Sequence, residues 1–141
     1  MSSGSTIQRD DGGWRLPIEH RCVGRCVIDH AFALEFYDGA DSMVVRIECD
    51  FTIIERGLAH RFTPSEPRGL GPAVALFGQV VSSAWALVDG TLAVTFEDGR
   101  VMSVAPDTGY EAWEFFGPGG MRAVCAPGGT VSVWQPKYPG P

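Results

Sequence analysis

Val27–Gly39 (VIDHAFALEFYDG) and Leu87–Gly99 (LVDGTLAVTFEDG) are two versions of one segment, and reading them together decides the fold. Laid on one another at constant spacing they are identical at five of thirteen positions, pairing Asp29 with Asp89, Ala33 with Ala93, Phe36 with Phe96, Asp38 with Asp98 and Gly39 with Gly99. Apolar and polar residues alternate in both. Phe32, Leu34 and Phe36 lie on one side of the first copy, and Leu92, Val94 and Phe96 on one side of the second. Period two marks a half-buried strand. Asp38-Gly39 and Asp98-Gly99 end the alternation, and Asp-Gly supplies the positive φ of a tight hairpin turn; Asp89-Gly90 is a third such turn. Returning strands over about 42–49 and 100–105, the second stopped by Pro106, make each copy an antiparallel meander.

Working outward, Cys22–Val27 lines up with Leu76–Val81, with Gly24 on Gly78 and a length difference before the next match. The copies therefore span about 20–50 and 75–105. Between them Thr63–Gly71 (TPSEPRGLG) reads as a linker, and Pro72 opens a short helix to about Phe77. Further strands are expected over about 110–116, 121–125 and 130–134, separated by Gly117-Pro-Gly-Gly120 and Pro127-Gly-Gly129. The expected architecture is a single all-β domain over 14–135, a duplicated antiparallel β-meander forming a sandwich or partly open barrel with at most one short helix. Residues 1–13 and 136–141 are expected to be flexible tails.

The chain has 141 residues and 45% of them are apolar, enough for a core without disulfides or metal. Its net charge of −6 is split evenly between residues 1–70 and the rest, so no basic stripe exists to neutralise phosphates. Nucleic acid and anionic membranes are thereby excluded as partners, and a basic protein partner suits the charge. A polar start and the lack of a long apolar run point to the cytoplasm, where Cys22, Cys26, Cys49 and Cys125 stay reduced.

The segment Gly90–Val104 carries a G-x-L-x-V-x-F-x-D-G-x-x-x-x-V pattern, followed by Tyr110-Glu-Ala-Trp113 and by Pro127-Gly-Gly-x-x-x-x-Trp134. In these features the sequence resembles an uncharacterised bacterial family, one of the numbered domains of unknown function. The likeness is strongest over 75–134. It implies the fold boundaries and no activity, cofactor or functional residue.

Candidate chemistry is sparse. His20, Cys22, Cys26 and His30 lie close in sequence, with Cys49 as a further ligand, but the spacing is not that of a zinc knuckle. The alignment puts Cys22 on Leu76 and Cys26 on Val80, so both are expected in the core, and neither metal nor cofactor is expected. There is no G-x-S-x-G elbow, and a Cys–His pair from Cys26 or Cys49 with His30 or His60 is the one nucleophilic alternative left open. His30, aligned with Gly90, is expected at a turn. The glycine runs lack the third glycine and the lysine of phosphate loops.

In Asp107–Phe116, period two puts Glu111 on the face of Trp113 and Phe115, with Tyr110, Ala112, Glu114 and Phe116 on the other. Glu111 at the margin of a core face needs a donor, for which Arg100 or Arg122 is at hand; the pair is structural or belongs to recognition. Trp14, Trp85, Trp113 and Trp134 are many for a small domain, and tryptophan serves both cores and interfaces. The expectation is a non-catalytic binding or protein-interaction domain, not an enzyme, with Tyr110, Glu111, Trp113, Arg122 and Trp134 as binding candidates. An immunity-type inhibitor of a basic toxin is one specific form. The alternative is a small-molecule carrier with an apolar cavity between the two β units and Glu111 or Tyr110 orienting the ligand. Pairing of edge strands across a two-fold would make a homodimer.

Overall fold

A computed structural model describes residues 6–38 and 41–137. Its strands are β1 Gln8–Asp10, β2 Gly13–Arg15, β3 Cys22–Ile28, β4 Phe32–Asp38, β5 Asp41–Ile47, β6 Phe51–Glu55 and β7 Leu58–Phe62. After a 3-10 turn at Pro67–Gly69 and the helix α1 Gly71–Val74 come β8 Val81–Leu87, β9 Leu92–Phe96, β10 Val101–Val104 and β11 Trp113–Phe116. A second 3-10 turn at Pro118–Gly120 leads to β12 Arg122–Cys125 and β13 Val131–Trp134. All pairings are antiparallel, and they form two open sheets, β1-β2-β8-β9-β10-β6-β7 and β13-β12-β11-β5-β4-β3, packed as a sandwich rather than closed as a barrel.

The two meanders read from the repeat, β3-β4-β5 and β8-β9-β10, lie one in each sheet. Phe32, Leu34 and Phe36 of the first and Leu92, Val94 and Phe96 of the second face the core, each at most 1% exposed. The first strand of each copy carries a bulge at the same place: Val23 pairs with Phe36 and Arg25 with Glu35, as Val81 pairs with Phe96 and Ser83 with Thr95. This register corrects the alignment upstream of the hairpin. Cys22 falls on Val80 and Cys26 on Ala84, because the hairpin between Ala86 and Leu92 is longer than that between Ile28 and Phe32. The Asp38-Gly39 turn lies outside the described residues at Gly39.

A pseudo-two-fold relates the copies. Its axis passes through the one place where the first strands of both meanders meet, the antiparallel bridge of Cys22 with Val80. On one side Val23 N–H donates to Gln79 O (2.9 Å) and Gly78 N–H to Val23 O (2.8 Å). On the other Val81 N–H donates to Arg21 O (3.0 Å) and His20 N–H to Val81 O (2.7 Å), the symmetry mates of the first two. His20 and Gly78 are equivalent, with φ of 67° and 84°.

The symmetry extends past the meanders. β6 follows β5 in sequence yet pairs with β10, and β11 follows β10 yet pairs with β5. Each copy thus lends its next hairpin to the sheet of the other, and the repeated unit is five strands, β3–β7 and β8–β12. Phe51 corresponds to Trp113, and Phe32, Phe51 and Phe62 stack in series with ring centroids 5.3 Å apart. Burying side chains of this size stabilises by about 1.5–3 kcal/mol each, which is where this fold draws most of its stability.

Outside the symmetry, Leu70, Ala73 and Leu76 of the linker are fully buried beside β3, where the Cys26 thiol reaches Val74 O (3.8 Å). The helix is shorter than expected, stopping at Val74 instead of about Phe77. The sheet also begins earlier than expected. Ile7 is 2% exposed and β1 pairs with β2, so this part of the expected N-terminal tail is built into the sheet. The Gln135 side chain holds Ile7 like a neighbouring strand, accepting its N–H (3.2 Å) and donating to its C=O (2.7 Å).

Candidate functional site

The side of the six-stranded sheet turned away from the core carries partly exposed side chains, Trp134, Arg122, Phe116 and Val44 among them. Strand register sets Trp134, Arg122, Phe116, Val44, Glu35 and Arg25 in one row across all six strands. A second row runs Ser132, Val124, Glu114, Arg46, Ala33 and Val27. The alternate positions Ala123, Phe115, Val45 and Leu34 are buried, so period two dictates that these rows look outward.

Arg122 stands on β12, one strand in from the β13 edge of the sheet. Its guanidinium carbon lies 5.4 Å from the Trp134 ring centroid and 5.6 Å from that of Phe116, between two cation–π partners. Its Nη2 donates to Glu114 Oε2 at 2.7 Å and its Nε to the same oxygen at 3.2 Å. The Glu114 side chain is largely covered, whereas Trp134 is 49% exposed. Further along, Arg46 pairs with Asp29 (3.1 Å), Arg25 approaches Glu35 (3.9 Å), and the Tyr37 hydroxyl donates to Glu35 (2.7 Å). That bond to a carboxylate holds the Tyr37 hydroxyl above its usual pKa. The bulge residue Gly24 has no side chain because the Tyr37 ring lies where a Cβ would stand.

Of the five residues singled out from sequence, only Arg122 and Trp134 share this face. Trp113 is a core residue with no exposure; its indole Nε1 donates to Gly90 O at 2.9 Å. Tyr110 and Glu111 are exposed and precede β11 instead of belonging to it, since Asp107 Oδ1 accepts the N–H groups of Gly109 (2.7 Å) and Tyr110 (3.1 Å) and curls the chain there. The expected pairing of Glu111 with Arg100 or Arg122 is therefore corrected: Arg122 holds Glu114, and Arg100 holds Asp98 (2.7 Å). Periodicity puts Glu114 and Phe116 on the face opposite Trp113, where they lie, but sequence alone does not say that β12 and β13 stand beside them. Glu35, Tyr37 and Arg25 carry no signal in the sequence for the same reason.

Among the described residues no three His, Cys, Asp or Glu side chains group to hold a metal. His20 and His30 are turn residues, both with positive φ, as the alignment of His30 with Gly90 anticipates. Cys22 is exposed, against the expectation of a core position, because the bulge after Val23 turns it to the outer face; Cys26 is half-buried. Burial, then the Asp107 and Asp50 carboxylates, push the Cys49 thiol up to about 11. Burial likewise raises Cys26 and Cys125, which keeps these thiols protonated and poor nucleophiles. No helix among the described residues is long and apolar enough to cross a membrane.

Fold and face together define an all-β sandwich domain built by duplication, with an aromatic and charged outer face on the six-stranded sheet. The chain belongs to the family of unknown function DUF6188, whose pattern it matches over residues 14–135. No curated protein and no solved structure matches it.

Proposed function

We propose that this is a non-catalytic protein-recognition domain that engages its partner through the outer face of the six-stranded sheet. The observation that carries this reading is Arg122 held between Trp134 and Phe116 and tied to Glu114. Arginine and tryptophan dominate interface hot spots, and side chains already fixed in one geometry lose little entropy on binding. The net charge of −6 favours encounter with a basic partner, and an immunity-type inhibitor of a basic toxin is the specific form of the proposal. A carrier would need room between the sheets; Phe32, Phe36, Phe51, Phe96, Trp113 and Phe115 fill that space, each at most 2% exposed, which favours recognition over carriage. Unpaired thiols, one of them exposed, suit a cytoplasmic setting.

The test compares wild type with Arg122→Ala/Trp134→Ala, both immobilised and exposed to lysate of the producing cell. A protein held by wild type should be lost by the double variant, with affinity reduced roughly tenfold or more, at unchanged melting temperature. Equal retention by both, or a small molecule co-purifying in the native mass spectrum, overturns the reading.

A further inference from the structure

The internal symmetry gives β7 a counterpart, β12, and the two differ in one respect. On its far edge β12 carries β13, with Arg122 opposite Trp134 and Val124 opposite Ser132. The hairpin bond of Ala126 N–H to Thr130 O (2.8 Å) fixes the alternation, so Arg122 and Val124 are the β12 residues whose backbone groups meet β13. The register of the exchanged hairpins makes Ala59 the equivalent of Arg122, and Arg61 that of Val124.

β7 has no such neighbour among the described residues. Arg56 and Gly57, with φ of 52° and 79°, form the two-residue turn that makes Glu55 and Leu58 a hydrogen-bonded pair. Leu58, His60 and Phe62 therefore bond β6, and the N–H and C=O of Ala59 and Arg61 point to the open edge. Leu58 is 64% exposed and the Arg61 side chain 74%.

The other three edges have the protections that edge strands usually carry. β1 and β13 are short, of three and four residues, and β1 runs into Asp10-Asp11. β3 is bridged by Val80 at its start and approached by α1 at Cys26. β7 has no proline, no bulge and no acidic residue.

We infer that β7 is a self-association edge, and that its occupant is β7 of a second copy, antiparallel across a two-fold at His60. In that register the N–H and C=O of Ala59 meet those of Arg61 of the second copy, and the reverse, so every outward backbone group is satisfied. Each position suits its opposite. The small Ala59 leaves room for the Arg61 stem, and exposed Leu58 lies against Phe62. The guanidinium of each Arg61 is already neutralised by its own Asp50, with Nε and Nη2 on Oδ2 at 2.9 and 2.7 Å, so the two arginines flanking the axis do not repel. The same operation that adds β13 to β12 within the chain is completed at β7 by another chain, joining two seven-stranded sheets into one. The six-stranded face of the proposed function is not involved and stays free in the dimer.

Sedimentation equilibrium of the full chain across a concentration series tests this. Wild type should pass from 15.2 kDa to twice that mass with rising concentration. Ala59→Pro removes an outward N–H without touching the bonds to β6, and Ala59→Lys fills the space that the Arg61 stem of the second copy needs; each should weaken the dimer about tenfold or more while melting temperature and far-UV spectrum hold. A wild type that stays monomeric at every concentration overturns the inference, as does a dimer that persists in folded Ala59→Pro and Ala59→Lys. Partner capture through Trp134 and Arg122 is scored separately, so either proposal can fail without the other.

Discussion

The indole N–H of Trp113 reaches the Gly90 carbonyl, and around that bond three turns are locked together. Gly90 is buried with φ of 96°, and a Cβ there would run into the backbone of Gly129. Gly129, at φ 107°, is pressed in the same way on the Asp89 carbonyl, and Gly128 N–H donates to Asp107 O (2.9 Å). Both glycines are required by close approach and by backbone conformation at once. The Trp113 hydrogen bond is thus the polar pin of an otherwise apolar packing. Trp113→Phe keeps a ring in the core and strands the Gly90 carbonyl, with a small void added. It should lower unfolding free energy by about 1–3 kcal/mol in urea titration. A loss below about 0.5 kcal/mol would mean the bond contributes nothing beyond the ring.

At the scale of elements, the bridge between β3 and β8 holds the two sheets in register, and its flanking residues show what each copy needs. Position 20 and position 78 both require a left-handed backbone, yet one is His20 and the other Gly78. Gly78→Ala should destabilise by about 1 kcal/mol through steric strain, while His20→Gly should change stability by less than about 0.5 kcal/mol, relief of strain offsetting a more flexible unfolded chain. Equal losses at both sites in parallel denaturation curves would remove the equivalence. The meanders themselves were legible because alternation over Phe32–Phe36 and Leu92–Phe96 reports burial directly. The bulges are not, since an inserted residue such as Gly24 leaves no period of its own, which hides that Cys22 faces outward; the upstream alignment fails for a separate reason, the longer hairpin between Ala86 and Leu92. β1 reads as tail because Gln8–Asp10 is wholly polar; it is held instead by its pairing with β2 and by Arg9 stacked on Trp14 (5.2 Å). The face around Arg122 was half legible. Periodicity sets Glu114 beside Phe116, but only strand order brings Trp134 next to them.

Taken whole, the molecule is two units that cannot each close a core. The first-half hairpin β6–β7 has its sheet partner in β10, and β5 has its partner in β11, so cutting the chain in the linker separates strands that bond one another. Residues 1–65 alone would keep the β3-β4-β5 meander and a loose hairpin, with Phe51 and Phe32 stripped of the Trp113 side of the core. Isolated hairpins are marginal in water, and a meander with one exposed apolar face is little better. Ser65 and Glu66 are exposed, and the buried linker residues Leu70, Ala73 and Leu76 all stay with the second piece. Fragments 1–65 and 66–141 should therefore each lack a cooperative unfolding transition and, when mixed at equal concentration, should assemble and recover the far-UV spectrum and tryptophan fluorescence of the intact chain. The pairing would be weaker than the intact fold by the entropy of joining two chains, and so it should depend on concentration. Cooperative unfolding of either fragment by itself would show that the exchanged hairpins decorate two self-sufficient halves, and the duplication would then be a tandem array instead of an interlocked pair.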